Sequence, residues 1–100
     1  MHGQHLYLIQ SRKSGAFKIG RSSDPERRRK ELQTASPFEL RIILIVLDKG
    51  YLEPALHQYM ARYRTQAFDG EWFREDGIGD LPPWIYDQLD LDVVNIWWET

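Results

Sequence analysis

The sequence contains no cysteine. That absence excludes disulfides, thiolate zinc sites and a cysteine nucleophile together, and it fits a reducing compartment. Long apolar runs are missing as well. The longest, Ile42 to Leu47, has six residues, far short of the roughly 20 a membrane-spanning helix needs. The N-terminus, Met1-His2-Gly3-Gln4-His5, has no basic segment followed by an apolar core, so no export signal is expected. No repeat, linker or low-complexity stretch breaks the chain. The expectation is a soluble, cytoplasmic domain with no membrane partner. Excess charge of one sign is also lacking, the formal net charge being −2.

The composition suits a single domain spanning residues 1–100: 42% of the residues are hydrophobic and 13% aromatic, enough for a modest core. Disordered and collagen-like classes are excluded on the same ground. Charge is unevenly spread. Between Arg12 and Lys30 stand eight basic residues against two acidic ones, and between Asp69 and Thr100 nine acidic residues against one basic. Screening limits charge interactions to about 10 Å at ordinary salt, so a local basic face can bind phosphates whatever the total charge. A solvated surface helix would give the same run of charge.

His5 to Ser11 reads as a strand with Leu6 and Leu8 on one face and Tyr7 and Ile9 on the other. A turn at Arg12-Lys13-Ser14-Gly15 leads to a second strand, Ala16 to Arg21, in which Phe17 and Ile19 share a face opposite Lys18 and Gly20. Asp24-Pro25-Glu26 is a helix start: Asp24 caps, Pro25 suits the first position and Glu26 complements the positive helix end. This helix should run to Thr34. Within Phe38 to Asp48 lies a third strand, whose apolar run Ile42 to Leu47 predicts a strand covered on both faces and central in its sheet. Leu52, Ala55, Leu56, Tyr59, Met60 and Tyr63 follow helical spacing and predict a second helix from Tyr51 to Arg64. Beyond it, Gly70 to Phe73 reads as a short strand or turn, Leu81 to Leu89 as a short helix and Val93 to Trp98 as a last strand. The fold class is α+β: a small, mostly antiparallel three-stranded sheet flanked by helices. The order is β-β-α-β-α, followed by a C-terminal helix/strand extension.

His5-Leu6-Tyr7, a hairpin, and then Lys18-Ile19-Gly20 resemble the two motifs that name the GIY-YIG nuclease superfamily. The first keeps only its tyrosine, and the second has lysine where the name has tyrosine. Arg28 stands where that superfamily places a helical arginine, and Glu53 where it places a metal-binding glutamate. The KIGR sequence, the DPERR helix start, the Glu-x-x-x-His pair and the later GEWF resemble the phage-type branch. The resemblance covers about residues 6–73 and leaves an acidic, Trp-containing extension over 74–100. It implies a divalent-metal-dependent endonuclease that hydrolyses nucleic acid phosphodiesters, DNA favoured over RNA. Tyr7, Lys18, Arg28 and His57 would be catalytic, and Glu53 would hold one Mg²⁺ or Mn²⁺. A nucleic-acid-binding or interaction module on the same scaffold, its catalysis lapsed, is the alternative. Duplex cleavage would need two sites, hence a homodimer or two visits.

The residues carry a matching chemical reading. A cation beside a phenol favours the phenolate, so Lys18 next to Tyr7 would lower its pKa or else grip a phosphate oxygen. Arg28 lies one helical turn before Leu32 and should lean toward the sheet with it, able to clamp a phosphate bidentately; an ion pair with Glu31 or Glu26 is the other reading. Arg27 and Lys30 splay outward as sequence-independent phosphate contacts, with Arg21 and Arg64 assigned to nucleic-acid binding alongside them. Glu53 and His57, four residues apart, share one helix edge, with Arg64 further along it. One carboxylate with waters and a substrate phosphate is how Mg²⁺ is usually held, which leaves His57 as a hydrogen-bonding partner. The aromatics of Glu71-Trp72-Phe73 read as core closure, with base stacking as the other use.

Overall fold

The computed structural model describes residues 3–65 and 72–87. Its framework is a five-stranded antiparallel sheet in the order β3-β1-β2-β5-β4. The strands are β1 (His5–Ser11), β2 (Phe17–Ser22), β3 (Leu40–Val46), β4 (Arg64–Thr65) and β5 (Trp72–Phe73). The expected three-stranded sheet is therefore extended by two strands of two residues each, too short for alternation to reveal. The predicted strand over Val93 to Trp98 lies outside the described residues, as does the end of the predicted helix at Leu89. That segment forms a single turn of helix, α3 (Pro83–Tyr86). Among the described residues no helix is long and apolar enough to cross a membrane.

The β1–β2 hairpin follows from its turn. Ser11 N–H donates to the Ala16 carbonyl at 2.8 Å, and Gly15 N–H to the Ser11 carbonyl at 2.8 Å. Gly15 takes φ +81°, a conformation that costs glycine little. With residues 11 and 16 opposed, Tyr7 falls opposite Gly20 and Ile9 opposite Lys18. Helix α1 (Pro25–Thr34) has its expected bounds, and the Asp24 carboxylate accepts from Arg27 N–H at 3.1 Å.

Strand β3 corrects an expectation: it is covered on both faces but lies at the sheet edge, next to the interior strand β1. Its continuous apolar run arises from a register shift against Leu8 and Ile9, where Leu8 pairs with Leu44 and Ile9 with Ile42. The extra residue puts Ile43 and Leu44 into the same core, interrupting the alternation. The main core joins these to Leu6, Leu8, Phe17, Ile19, Phe73, Leu56 and Met60. On the other face Tyr7, Ile9, Leu40 and Ile42 form a second core beneath Leu32 of α1.

The long second helix is also corrected. A 3₁₀ turn at Gly50–Leu52 leads into α2 (Glu53–Tyr59), and a second 3₁₀ turn at Ala61–Tyr63 ends it. Arg64 is extended and pairs with Phe73, and Arg74 N–H donates to the Tyr63 carbonyl at 2.7 Å. Strand pairing with β5 thus competes successfully with the last helical turn. Leu56 and Met60, both fully buried, anchor α2 to the sheet. Leu56→Ala should lower unfolding free energy by about 2–5 kcal/mol in urea denaturation, the usual cost of a buried leucine cavity.

Candidate active site

Among the described residues, β5 pairs with β2 only at Phe17. Further along β2, helix α2 meets the strand through His57. His57 Nε2 donates to the Ile19 carbonyl at 3.0 Å and lies 3.4 Å from Glu53 Oε2. The His57 ring stands edge-on to Phe73 with centroids 5.4 Å apart. Backbone capture thereby ties the last turn of α2 to β2, and Glu53, in the first turn, joins the β2 residues lining one cleft. His57 is thus engaged with the Ile19 carbonyl and stands beside Glu53.

Tyr7, only 3% exposed, projects from the interior strand β1 onto the α1 face. A Cβ at Gly20 would stand 2.3 Å from its Cζ and Oη atoms, so the ring end fits only because residue 20 has no side chain. The Arg28 guanidinium lies near enough to the phenol to favour its ionised form, and it donates to Glu31 Oε1 at 3.2 Å. The Arg28 side chain is 45% exposed, so the Glu31 pair adds little stability.

Together these elements form an open cleft of about 450 Å³ lined by Tyr7, Lys18, Gly20, Arg28, Glu53 and His57, with Arg21 at its margin. Residues up to 50 positions apart in the chain thus meet in one place. Arg27 and Lys30 are exposed on α1 outside the cleft, Arg27 lying 3.6 Å from Glu31. Arg64 lies in β4 and not on the helix edge predicted for it, its guanidinium 5.9 Å from the centroid of the Phe73 ring in β5.

The electrostatics depart from expectation in one respect. Burial raises the Tyr7 phenol above its ordinary value, outweighing the nearby guanidinium of Arg28, while Glu53 and Glu31 raise it further. Lys18 pairs across the hairpin with Ile9, and its ammonium lies 5.7 Å from the Trp72 ring centroid. Arg28 is correspondingly raised and stays charged. Glu53 is the one carboxylate among the described residues that lines the cleft. Among the described residues no three His, Cys, Asp or Glu side chains gather as a metal cage. That donor set suits a hard ion that retains most of its waters, and does not suit zinc, which wants three protein ligands.

Three features escaped the sequence reading: the Ile19 carbonyl, Gly20 as the seat of Tyr7, and Trp72 beside Lys18. The hairpin register alone could have found the Gly20 contact, since a turn over residues 12–15 sets 7 opposite 20. The other two depend on α2 and β5 docking from distant parts of the chain.

Gly20→Ala should cost about 1–3 kcal/mol in urea denaturation, because Tyr7 or its strand must move. A second expectation follows from the raised phenol. A folded-state pKa above the unfolded value contributes stability that is fully present below the ordinary value of 10.0 and is lost as pH rises through the folded pKa. Urea midpoints should therefore fall above pH 10, and less steeply in Tyr7→Phe. Tyr63, raised by its hydrogen bond to Asp80 and by burial, should supply the residual slope.

Comparison with known families identifies the chain. It belongs to the T5orf172 domain family, whose model matches residues 4–97. No curated protein and no solved structure matches it.

Proposed function

We propose that this T5orf172 domain is a divalent-metal-dependent endonuclease of the GIY-YIG type that hydrolyses nucleic acid phosphodiesters, with DNA the favoured substrate. The family is phage-associated and related to nuclease folds, which is compatible with this chemistry. The observation that carries the reading is the convergence of Tyr7, Lys18, Arg28, Glu53 and His57 in one cleft. These residues come from two strands and two helices on opposite faces of the sheet. Two cations, a phenol and a carboxylate facing the same open volume match the needs of phosphodiester hydrolysis: neutralise the phosphate, take a proton from water, and stabilise the leaving oxygen.

In this mechanism Arg28 and Lys18 bind the nonbridging oxygens and oppose the negative charge that grows on them during attack. Arg28 also lies near the Tyr7 phenol. In its ionised form Tyr7 takes the proton of the attacking water, and solvent returns a proton to the departing oxygen. Since burial keeps most of the phenol protonated at neutral pH, the rate should climb about tenfold per pH unit toward the phenol pKa. Glu53 would hold one Mg²⁺ or Mn²⁺, which when bound supplies Lewis-acid stabilisation of the leaving oxygen. His57, bonded to Ile19 and beside Glu53, keeps that carboxylate turned into the cleft. The exposed Arg21, Arg27 and Lys30 would contact flanking phosphates without reading bases. A homodimer would put two such clefts on one duplex.

Nicking of supercoiled plasmid tests the reading. Wild type should nick with Mg²⁺ and not with EDTA, and Glu53→Ala should lose that metal dependence. Arg28→Ala should act about 10²–10³-fold more slowly, the loss typical of one charge-stabilising donor. His57→Asn should raise the Mg²⁺ concentration needed for half-maximal nicking. Tight binding with no metal-dependent nicking would overturn the enzyme and leave a nucleic-acid-binding module, a reading that the raised Tyr7 pKa and the lysine at position 18 favour.

A further inference from the structure

Beside the cleft, on the same face of the sheet, lies a second pocket of about 390 Å³, and Lys18 lines both. Its walls are mostly apolar: Leu32 of α1, Pro37 and Phe38 of the following connection, Leu40 of β3, and Trp72 of β5. Three serines complete the lining. The pairing of Phe17 with Phe73 sets Lys18 beside Trp72 on neighbouring strands, with the ammonium 5.7 Å from the ring centroid. Phe38 at the wall is 42% exposed, a large aromatic surface left to solvent. An apolar, aromatic slot with a few hydroxyls, one side chain away from a cationic cleft, has the chemistry of a nucleotide: a flat ring with polar edges joined to a phosphate.

We propose that this pocket is a nucleobase subsite. A base unstacked from its strand stacks on Trp72 against the wall formed by Phe38 and Leu32, and Lys18 holds the adjoining phosphate between pocket and cleft. This rests on reading the cleft as a phosphodiester site, and it specifies the substrate: a strand whose base is free to leave the stack, as in single-stranded or distorted nucleic acid. A base inside a regular duplex cannot enter, because its faces are covered by its neighbours.

Fluorescence anisotropy in EDTA tests it without cleavage, using a short fluorescein-labelled single strand, the same strand made abasic, and the blunt duplex, at fixed low salt. The intact single strand should bind wild type about tenfold more tightly than the abasic strand, the scale of one stacked base. Trp72→Ala should remove that difference, whereas Trp72→Phe should keep most of it. Phe38→Ser, at an exposed wall position that leaves the core intact, should reduce it about threefold. Equal wild-type affinity for intact and abasic strands overturns the subsite without relying on any variant's stability. Metal-dependent nicking with no base dependence of binding would keep the nuclease and remove the subsite. Base-dependent binding with no nicking would do the reverse.

Discussion

The end of the Tyr7 ring occupies the space where a side chain on Gly20 would stand, and the cleft is organised around that contact. Because residue 20 is bare, the phenol lies close against β2, where the guanidinium of α1 comes near it. The same closeness buries the phenol and raises its pKa, although a cation lies near it. Desolvation and an opposing charge compete for one proton here, and burial wins because Arg28 is itself half in water and shared with Glu31. A site built this way holds a neutral hydroxyl at rest and gains basicity only with rising pH.

The other half of the cleft depends on a hydrogen bond between layers: His57 of α2 donates to the Ile19 carbonyl of β2. One hydrogen bond thereby brings the carboxylate of a main-core helix to cations on the other face of the sheet. The brevity of α2 serves the same arrangement: its chain turns back into β4, pairs with β5, and leaves Trp72 beside Lys18.

Much of this was legible from local pattern. The hairpin, the bounds of α1 with its Asp24 cap, and the facing of Tyr7 and Lys18 away from Phe17 and Ile19 all follow from period-two alternation, turn chemistry and capping. That Tyr7, Lys18, Arg28 and Glu53 meet is what the resemblance of their motifs to the GIY-YIG superfamily implies; their spacing alone does not require it. The place of β3 was not legible: an apolar run predicts two covered faces, and an edge strand with a bulge meets that condition as well as a central one. Arg64 was misplaced because helical spacing continues through Tyr63 although pairing with β5 has already captured the backbone.

By itself the sequence determined the elements whose stabilising groups lie within a few residues of one another, together with the identities of the charged and phenolic side chains available for chemistry. Only the tertiary structure decided which of those groups share one volume. It directed Lys18 toward Trp72, joined His57 to a backbone carbonyl, and set the direction of the Tyr7 shift. The physical reason is the same in each case. Desolvation and long-range pairing depend on what packs from remote parts of the chain, and no local spacing encodes that.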